Sequence, residues 1–180
     1  MRAIQTLAEL MEISAVTAPK AVGTNFVVTK ILDTDEISRL AKAMVEYGNE
    51  TGKAHFDRDG ENVGASDAVV LIGMKDAEPV GIDCAACGFP VCLAINTGES
   101  DGEFLGPQCA VRVLDMGIAI GSAVKTAQIH NVDNRIMYRI GVLARKLGMI
   151  DADFVMGIPL SVTGKNIFYD RKAKPAPPNA

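Results

Sequence analysis

DAVVLIGM, residues 67–74, is a continuous apolar run of strand length. Runs of this kind are typical of a strand that is covered on both faces by other layers of the protein. Two further segments have strand character, the β-branched FVVTKIL at 26–32 and DFVMGIPL at 153–160. Helical patterns separate the three. The chain therefore predicts a layered domain of the α/β or α+β class, and the sequence alone allows either a parallel or an antiparallel strand order.

The predicted helices lie between these strands. Residues 2–13 carry apolar side chains at helical spacing, and Asp33 or Thr34 is placed to cap a helix that ends near Gly48. The segment 111–129 is apolar nearly all round, which is typical of a helix in the middle of a domain. We expect Asp133 or Asn134 to cap the next helix, with an apolar stripe made of Ile136, Ile140, Leu143 and Leu147.

The composition narrows the class of protein. Of the 180 residues, 48% are apolar and 22% are charged, as in ordinary soluble globular proteins. A net charge of −4 argues against nucleic acid as the main partner, because phosphate binding needs a basic face. No apolar run is long enough to predict a membrane helix, and Glu9 and Glu12 interrupt the first apolar stretch, unlike a secretion signal. We expect a cytoplasmic protein with reduced thiols.

All four cysteines lie in one segment, with the spacing Cys84-x2-Cys87-x4-Cys92-x16-Cys109. Such clustering predicts a shared inorganic centre. Structural zinc is the main alternative, but zinc ligands usually come from two short knuckles, and only one is present here. Disulfides are disfavoured in a reducing compartment. An iron–sulfur cube accepts one compact set of ligands and a distant fourth one, which favours a 4Fe–4S cluster.

The stretch CAACGFPVC, residues 84–92, with the distant Cys109, resembles the four-cysteine iron–sulfur domain of the B subunit of Rnf-type electron-transport complexes. This resemblance implies that Cys84, Cys87, Cys92 and Cys109 are the metal ligands. The segment between Lys75 and Arg112 has no basic residue, and its acids predict a low reduction potential because they oppose the addition of an electron: Asp76, Glu78, Asp83, Glu99, Asp101 and Glu103.

Beyond the cysteines, the chain resembles a family of uncharacterised bacterial and archaeal proteins described as containing a ferredoxin domain, from TAPKAVGTN at 17–25 to GIPLSVTGKN at 157–166. The order of its elements is also similar to that of flavin-dependent nitroreductases. The second resemblance implies a mainly antiparallel sheet around a central apolar helix, and FMN at the interface of a homodimer. Carried over, the FMN contacts are Thr17, Lys20, Asn25 and Gly157.

The sequence thus predicts a single α+β domain made of residues 1–78 and 110–172, an inserted iron–sulfur segment at 79–109, and a flexible tail at 173–180. The expected function is that of an iron–sulfur redox protein, and an FMN-dependent oxidoreductase if flavin binds. Its partner would be a redox protein or a small electron acceptor. A cluster-only electron carrier or redox sensor, and a zinc-stabilised structural domain, are the alternatives. No catalytic residue is identified, and neither nucleic acid nor membrane is an expected partner.

Overall fold

The computed structural model describes residues 2–97 and 99–169, apart from the side chain of Asp101. The predicted tail at 173–180 lies outside these residues. The helices are α1 (Arg2–Thr17), α2 (Thr34–Thr51), α3 (Phe56–Gly64), α4 (Ala110–Ile129) and α5 (Tyr138–Lys146). The strands are β1 (Val27–Ile31), β2 (Ala68–Met74), β3 (Ser100–Asp101), β4 (Leu105–Gly106), β5 (Asp133–Asn134) and β6 (Phe154–Ser161).

The main sheet has the strand order β1–β2–β6–β5, and every pairing in it is antiparallel. All seven residues of β2 are buried, as the apolar run predicts. The strand lies between β1 and β6, with Leu71 opposite Lys30 on one side and Gly157 on the other. The expected α+β fold with a mainly antiparallel sheet is therefore confirmed.

Helices cover both faces of the sheet. Alternate residues of β2 point to opposite sides, so Val70 and Ile72 belong to a core cluster with α1 and α4, whereas Val69 and Leu71 belong to a second cluster with α2, α3 and α5. The result is a three-layer arrangement. Helix α4 contributes Met116, Ala119 and Ile120 to the first cluster, which confirms its prediction as a central helix.

Helix α2 shows how local sequence sets the helix ends. Asp33 accepts a hydrogen bond from the backbone N–H of Glu36, and the Glu36 side chain accepts one from Asp33 N–H, which together form a capping box. Of the two predicted caps, Asp33 and Thr34, the structure has Asp33, and Thr34 is the first residue of the helix. The helix continues past Gly48 to Thr51 and ends where Gly52 adopts a left-handed conformation.

The predicted cap at Asp133 or Asn134 is wrong. Both residues form β5 and pair with Ser161 and Leu160 of β6, and Met137 makes a further bridge to Gly157. The backbone therefore stays extended until α5 begins at Tyr138. Pairing with a strand distant in sequence has overridden the local capping preference. Helix α1 extends through Thr17, beyond the predicted range 2–13. The short hairpin of β3 and β4 was not predicted.

In the described part of the chain, no helix combines the length and the apolar character needed to cross a bilayer.

Candidate functional site

The cysteine segment, residues 79–109, leaves the sheet shortly after β2 and returns to the core at the start of α4. Its turns depend on left-handed backbone conformations. Gly88 has a φ of 88° and its N–H donates to the carbonyl of Ala85, which closes the turn that carries Cys84 and Cys87. Asp83 and Ala85 also have positive φ values of 49° and 56°, which are uncommon for residues other than glycine.

Cys92 is tied to the other end of this loop through Asp83. The N–H of Cys92 donates to Asp83 Oδ1 at 2.7 Å, and the N–H of Asp83 donates to Cys92 Sγ at 3.4 Å. Cys92 begins a short 3-10 turn that runs to Ala94. The sulfur thus already has one backbone N–H donor, as thiolates that bind metal commonly do.

Cys109 occupies the N-cap position of α4 and is 4% exposed. Burial by itself raises the pKa of the thiol, because it penalises the thiolate. Backbone N–H groups of Arg112, Val80 and Val111, together with the Arg112 charge, outweigh that penalty and hold the pKa of Cys109 below its usual value. The site therefore favours a thiolate at this position.

The four thiols are not brought to one centre. Cys84 is exposed, Cys87 and Cys92 are half-buried, and all four cysteines are free. Within residues 2–97 and 99–169, no group of three or more His, Cys, Asp or Glu side chains is arranged to hold a metal ion. The chain supplies the donor atoms that a 4Fe–4S cluster or zinc takes, but the geometry of the segment does not match either centre.

The three residues predicted to contact FMN near α1 bind the protein's own backbone. Lys20 Nζ donates to the carbonyl oxygens of Ala15, Val16 and Ala18 at 2.6–2.9 Å, and so caps the C-terminal end of α1. Partial burial lowers the pKa of Lys20, against the opposing effect of the Asp115 carboxylate.

Thr17 and Asn25 are also bonded locally. Thr17 Oγ1 donates to the carbonyl of Ile13 within α1 at 2.8 Å. Asn25 Oδ1 accepts from the N–H of Val27 at 3.1 Å, which forms a side-chain turn at the start of β1. Both residues are nevertheless exposed, so the further hydrogen bonds that their side chains can make are directed to solvent.

Gly157 lies in β6, directly beside α5. A Cβ added at this position would overlap the side chain of Ile140. Ile140 belongs to the core cluster of α2, α3 and α5, whereas Ala18, in the loop 17–25, belongs to the cluster on the opposite face of the sheet. The structure therefore gives Gly157 a packing role. A side chain added there would point towards Ile140 and away from the loop.

A buried charged pair on α4 was missed in the sequence. Arg112 and Asp115 are 4% and 7% exposed, and Arg112 Nη1 lies 3.2 Å from Asp115 Oδ2. Asp115 Oδ1 accepts from the N–H of Ala21, and the guanidinium donates to the carbonyls of Ala21 and Glu78. The sequence does contain a signal for this pair, because two opposite charges stand three residues apart in a helix that is otherwise largely apolar.

A second buried carboxylate holds the other helical layer together. Asp59 on α3 is 1% exposed and pairs with Arg58 at 2.6 Å and with Arg139 of α5 at 3.0 Å. Arg139 also donates to the carbonyl of Ala54 and lies over the rings of Phe56 and Tyr138. These contacts satisfy the buried charge and join α3 to α5, which is a structural role.

Several solved structures with a similar arrangement of elements are nitroreductases. The FMN-dependent nitroreductase of Mycobacterium smegmatis, in complex with NADPH, superimposes with a TM-score of 0.58 at 12% identity, covering 96% of this chain and 85% of that one. A nitroreductase with bound FMN from Bacteroides fragilis gives a TM-score of 0.56 at 10% identity, covering 95% and 83%. At this identity the similarity establishes a nitroreductase-like fold.

Sequence comparison identifies relatives at much higher identity. An uncharacterized protein of Archaeoglobus fulgidus is 46% identical over 172 residues, which span 95% of this chain and 93% of that protein. The family model described as "uncharacterized protein containing a ferredoxin domain" matches residues 105–171, a span that includes Cys109 and α4. The chain belongs to this family of uncharacterized proteins containing a ferredoxin domain.

Proposed function

We propose that this protein is an iron–sulfur redox protein in which Cys84, Cys87, Cys92 and Cys109 bind one 4Fe–4S cluster. The observation that carries the proposal is the confinement of all four cysteines to one segment of a chain whose family is described as containing a ferredoxin domain. Four thiolates are the complete ligand set of such a cluster, which supplies one-electron chemistry when bound.

The contacts of two cysteines support this assignment. Cys109 receives backbone N–H donors and has a lowered pKa, and Cys92 receives the N–H of Asp83. Hydrogen bonds to sulfur stabilise the thiolate form that binds metal. Cys84 and Cys87 lie on an exposed turn, so we propose that cluster binding draws this turn towards Cys92 and Cys109 and orders the segment 79–109 as an inserted unit.

Absorbance of anaerobically purified protein tests the proposal. A broad shoulder near ~400 nm that bleaches on addition of dithionite is the expected result for a redox-active cluster. A colourless protein with one zinc ion per chain would instead support the zinc-stabilised structural domain and would contradict electron transfer. Zinc and iron analysis on the same sample separates a lost cluster, which leaves neither metal, from a zinc site.

We further propose FMN as a second cofactor of a cytoplasmic oxidoreductase, held near Thr17, Lys20 and Asn25 and near the backbone of Gly157. The nitroreductase-like fold supports this, since the Bacteroides fragilis neighbour binds FMN. Quenching of FMN fluorescence on titration with the protein is the expected result. Unchanged fluorescence at micromolar protein would favour the cluster-only alternative.

The contacts of the loop favour that alternative electron carrier or redox sensor. Lys20 already uses its three N–H donors on backbone carbonyls, and Asn25 is engaged by Val27. A flavin would have to replace these bonds or bind the exposed Thr17 and the loop backbone beside them. Redox titration distinguishes the two functions, because a cluster alone takes up one electron per chain and a flavin adds two.

We propose that the protein acts as a homodimer through the outer faces of α1 and α4. These faces expose apolar side chains, among them Leu10, Ile13, Val16, Leu114 and Ile118. Gly117 and Gly121 have open space beside them, which leaves room for a second backbone to approach. A contiguous apolar surface of this kind is typical of a protein–protein interface.

A further inference from the structure

We propose that Arg112 is a positioning residue that couples the loop 17–25 to the entry of the cysteine segment, residues 78–80. Its guanidinium is buried between the two and is bonded to both. Arg112 is thus shared by the two regions to which the proposed function assigns cofactors, the loop 17–25 for FMN and the cysteine segment for the cluster. The coupling depends on contacts within the chain and can be tested whether or not a cofactor is bound.

On the loop side, Arg112 Nη1 donates to the carbonyl of Ala21 at 3.0 Å and lies 3.5 Å from that of Thr24. Asp115, its ion-pair partner, accepts the N–H of Ala21 at 2.8 Å. Both backbone polar groups of Ala21 are thus bonded to a buried pair on α4. The guanidinium also lies over the ring of Phe26, 4.8 Å from its centre.

These bonds hold the loop in an unusual conformation. Val22 has a φ of 50°, a left-handed value that a β-branched residue adopts only when its surroundings require it. The Val22 side chain is 72% exposed, so packing of that side chain does not supply the constraint. Two backbone bonds span Val22, from Gly23 N–H to Lys20 and from Thr24 N–H to Ala21. The bonds from Arg112 and Asp115 to Ala21, and from Arg112 to Thr24, hold this turn from outside.

On the segment side, Arg112 Nε donates to the carbonyl of Glu78 at 2.9 Å. Two residues later, the backbone N–H of Val80 lies near the sulfur of Cys109 and, with the backbone N–H of Arg112, lowers the pKa of that thiol. The entry of the cysteine segment is therefore bonded to the Arg112 side chain, and its exit, Cys109, lies at the N-cap of α4 beside the Arg112 backbone.

Burial makes these contacts interdependent. A guanidinium has five N–H donors in one rigid plane, and a buried donor that loses its acceptor cannot turn to water. If the entry of the segment moves, the Glu78 carbonyl withdraws from Arg112. The guanidinium plane then shifts, or Nε is left without an acceptor. The bonds from Arg112 to Ala21 and Thr24 are strained as a result. Movement of the segment should therefore loosen the loop on the opposite side of Arg112.

A double-mutant cycle read by amide hydrogen exchange on the full-length, anaerobically purified chain tests the coupling. Cys109→Ala removes the buried side chain at the N-cap of α4, where the segment ends, and so perturbs the segment. Exchange is read at the amides of Gly23 and Thr24 in the loop. We expect this variant to raise their exchange rates by about threefold or more. In the Arg112→Gln background the same change should have an effect below about 1.5-fold.

Arg139→Gln is the matched control, because it also removes a guanidinium, here half-buried, that is paired with a buried carboxylate, while its bonds to Asp59 and Ala54 lie outside the loop and the segment. The effect of Cys109→Ala on the loop must persist in this background. If Arg112→Gln does not fold, Arg112→Lys replaces it, since one ammonium group cannot bond carbonyls of both regions as the planar fork does.

An equal response of the loop with and without Arg112, or no response in the wild-type background, would overturn the coupling. Its failure is distinct from failure of the proposed function. The exchange cycle reports on the bonds of Arg112, whereas iron analysis of the wild-type chain reports on the cluster. Either result can be positive when the other is negative.

Discussion

Asp83 and Cys92 bind each other twice, with the N–H of Cys92 bonded to the Asp83 carboxylate at 2.7 Å and the N–H of Asp83 bonded to the Cys92 sulfur at 3.4 Å. The pair links two parts of the cysteine segment nine residues apart. Asp83 also has a left-handed φ of 49°, which Asp and Asn tolerate better than most residues. The arrangement therefore needs a short side chain with an acceptor oxygen at this position.

Replacement of Asp83 tests this link. Asp83→Gly keeps the left-handed conformation but removes the acceptor, so we expect Cys92 to react with iodoacetamide about five- to tenfold faster in the metal-free protein. Asp83→Asn retains an acceptor oxygen and should stay close to wild type. Glu99→Ala, an exposed acid in the same segment, is the control. Equal rates in Asp83→Gly and wild type would show that the link does not restrain Cys92.

Lys20 is expected to matter for stability through its contacts with α1. Lys20→Met keeps the length of the side chain but removes the donor to three carbonyls, and should lower the free energy of unfolding by about 1–2 kcal/mol in urea titration. Lys42→Met, at an exposed position of α2, should have little effect. If Lys20→Met left stability unchanged but abolished FMN binding, a cofactor role would replace the capping role.

Gly157 is expected to be required by packing. Gly157→Ala places a methyl group in the side chain of Ile140, and we expect a loss of about 3 kcal/mol in the free energy of unfolding. Gly164→Ala is the matched control, because a methyl group there meets no neighbouring atom within 4 Å. A stable Gly157→Ala protein that lost only FMN would contradict the packing role and support direct contact with the flavin.

The proposed dimer is tested at the open glycine of α4. A Cβ added at Gly121 meets no atom of the described residues within 4 Å outside its own stretch of helix, so in Gly121→Leu the subunit should fold normally while association weakens by at least about tenfold in sedimentation equilibrium. Ser38→Leu, which adds leucine to an exposed position of α2, should remain a dimer. A wild-type protein that sediments as a monomer at micromolar concentration would contradict the proposal.

The parts of the fold that local sequence determines were predictable. The apolar run of β2 predicted a strand with both faces covered, and Asp33 predicted the start of α2, because a buried strand and a capped helix each depend on neighbouring residues. Asp133 was misassigned because its pairing partner, Ser161, is distant in the chain. No local pattern distinguishes a capping aspartate from one at the start of an edge strand.

For the candidate site, the sequence predicted the donor atoms but not how they are arranged in space. The spacing of the cysteines identifies four sulfur donors, but it does not predict the left-handed conformations of Asp83 and Ala85 or the positions of the thiols, which form no metal-binding group in the described residues. Metal sites of this kind acquire their shape together with the metal, so the ligands and the local fold are coupled. The role of Arg112 was also hidden, since its acceptors lie on two distant segments.

Iron and acid-labile sulfide, measured together on anaerobically purified protein, test the central claim most directly. We expect about four iron atoms and four sulfides per chain in the wild type, and loss of both in Cys87→Ser. Asp76→Asn, which changes an exposed acid before the segment, should keep them. Wild-type protein that holds zinc and no iron, or a Cys87→Ser variant that retains its full iron and sulfide content, would contradict the assignment of these cysteines to a 4Fe–4S cluster.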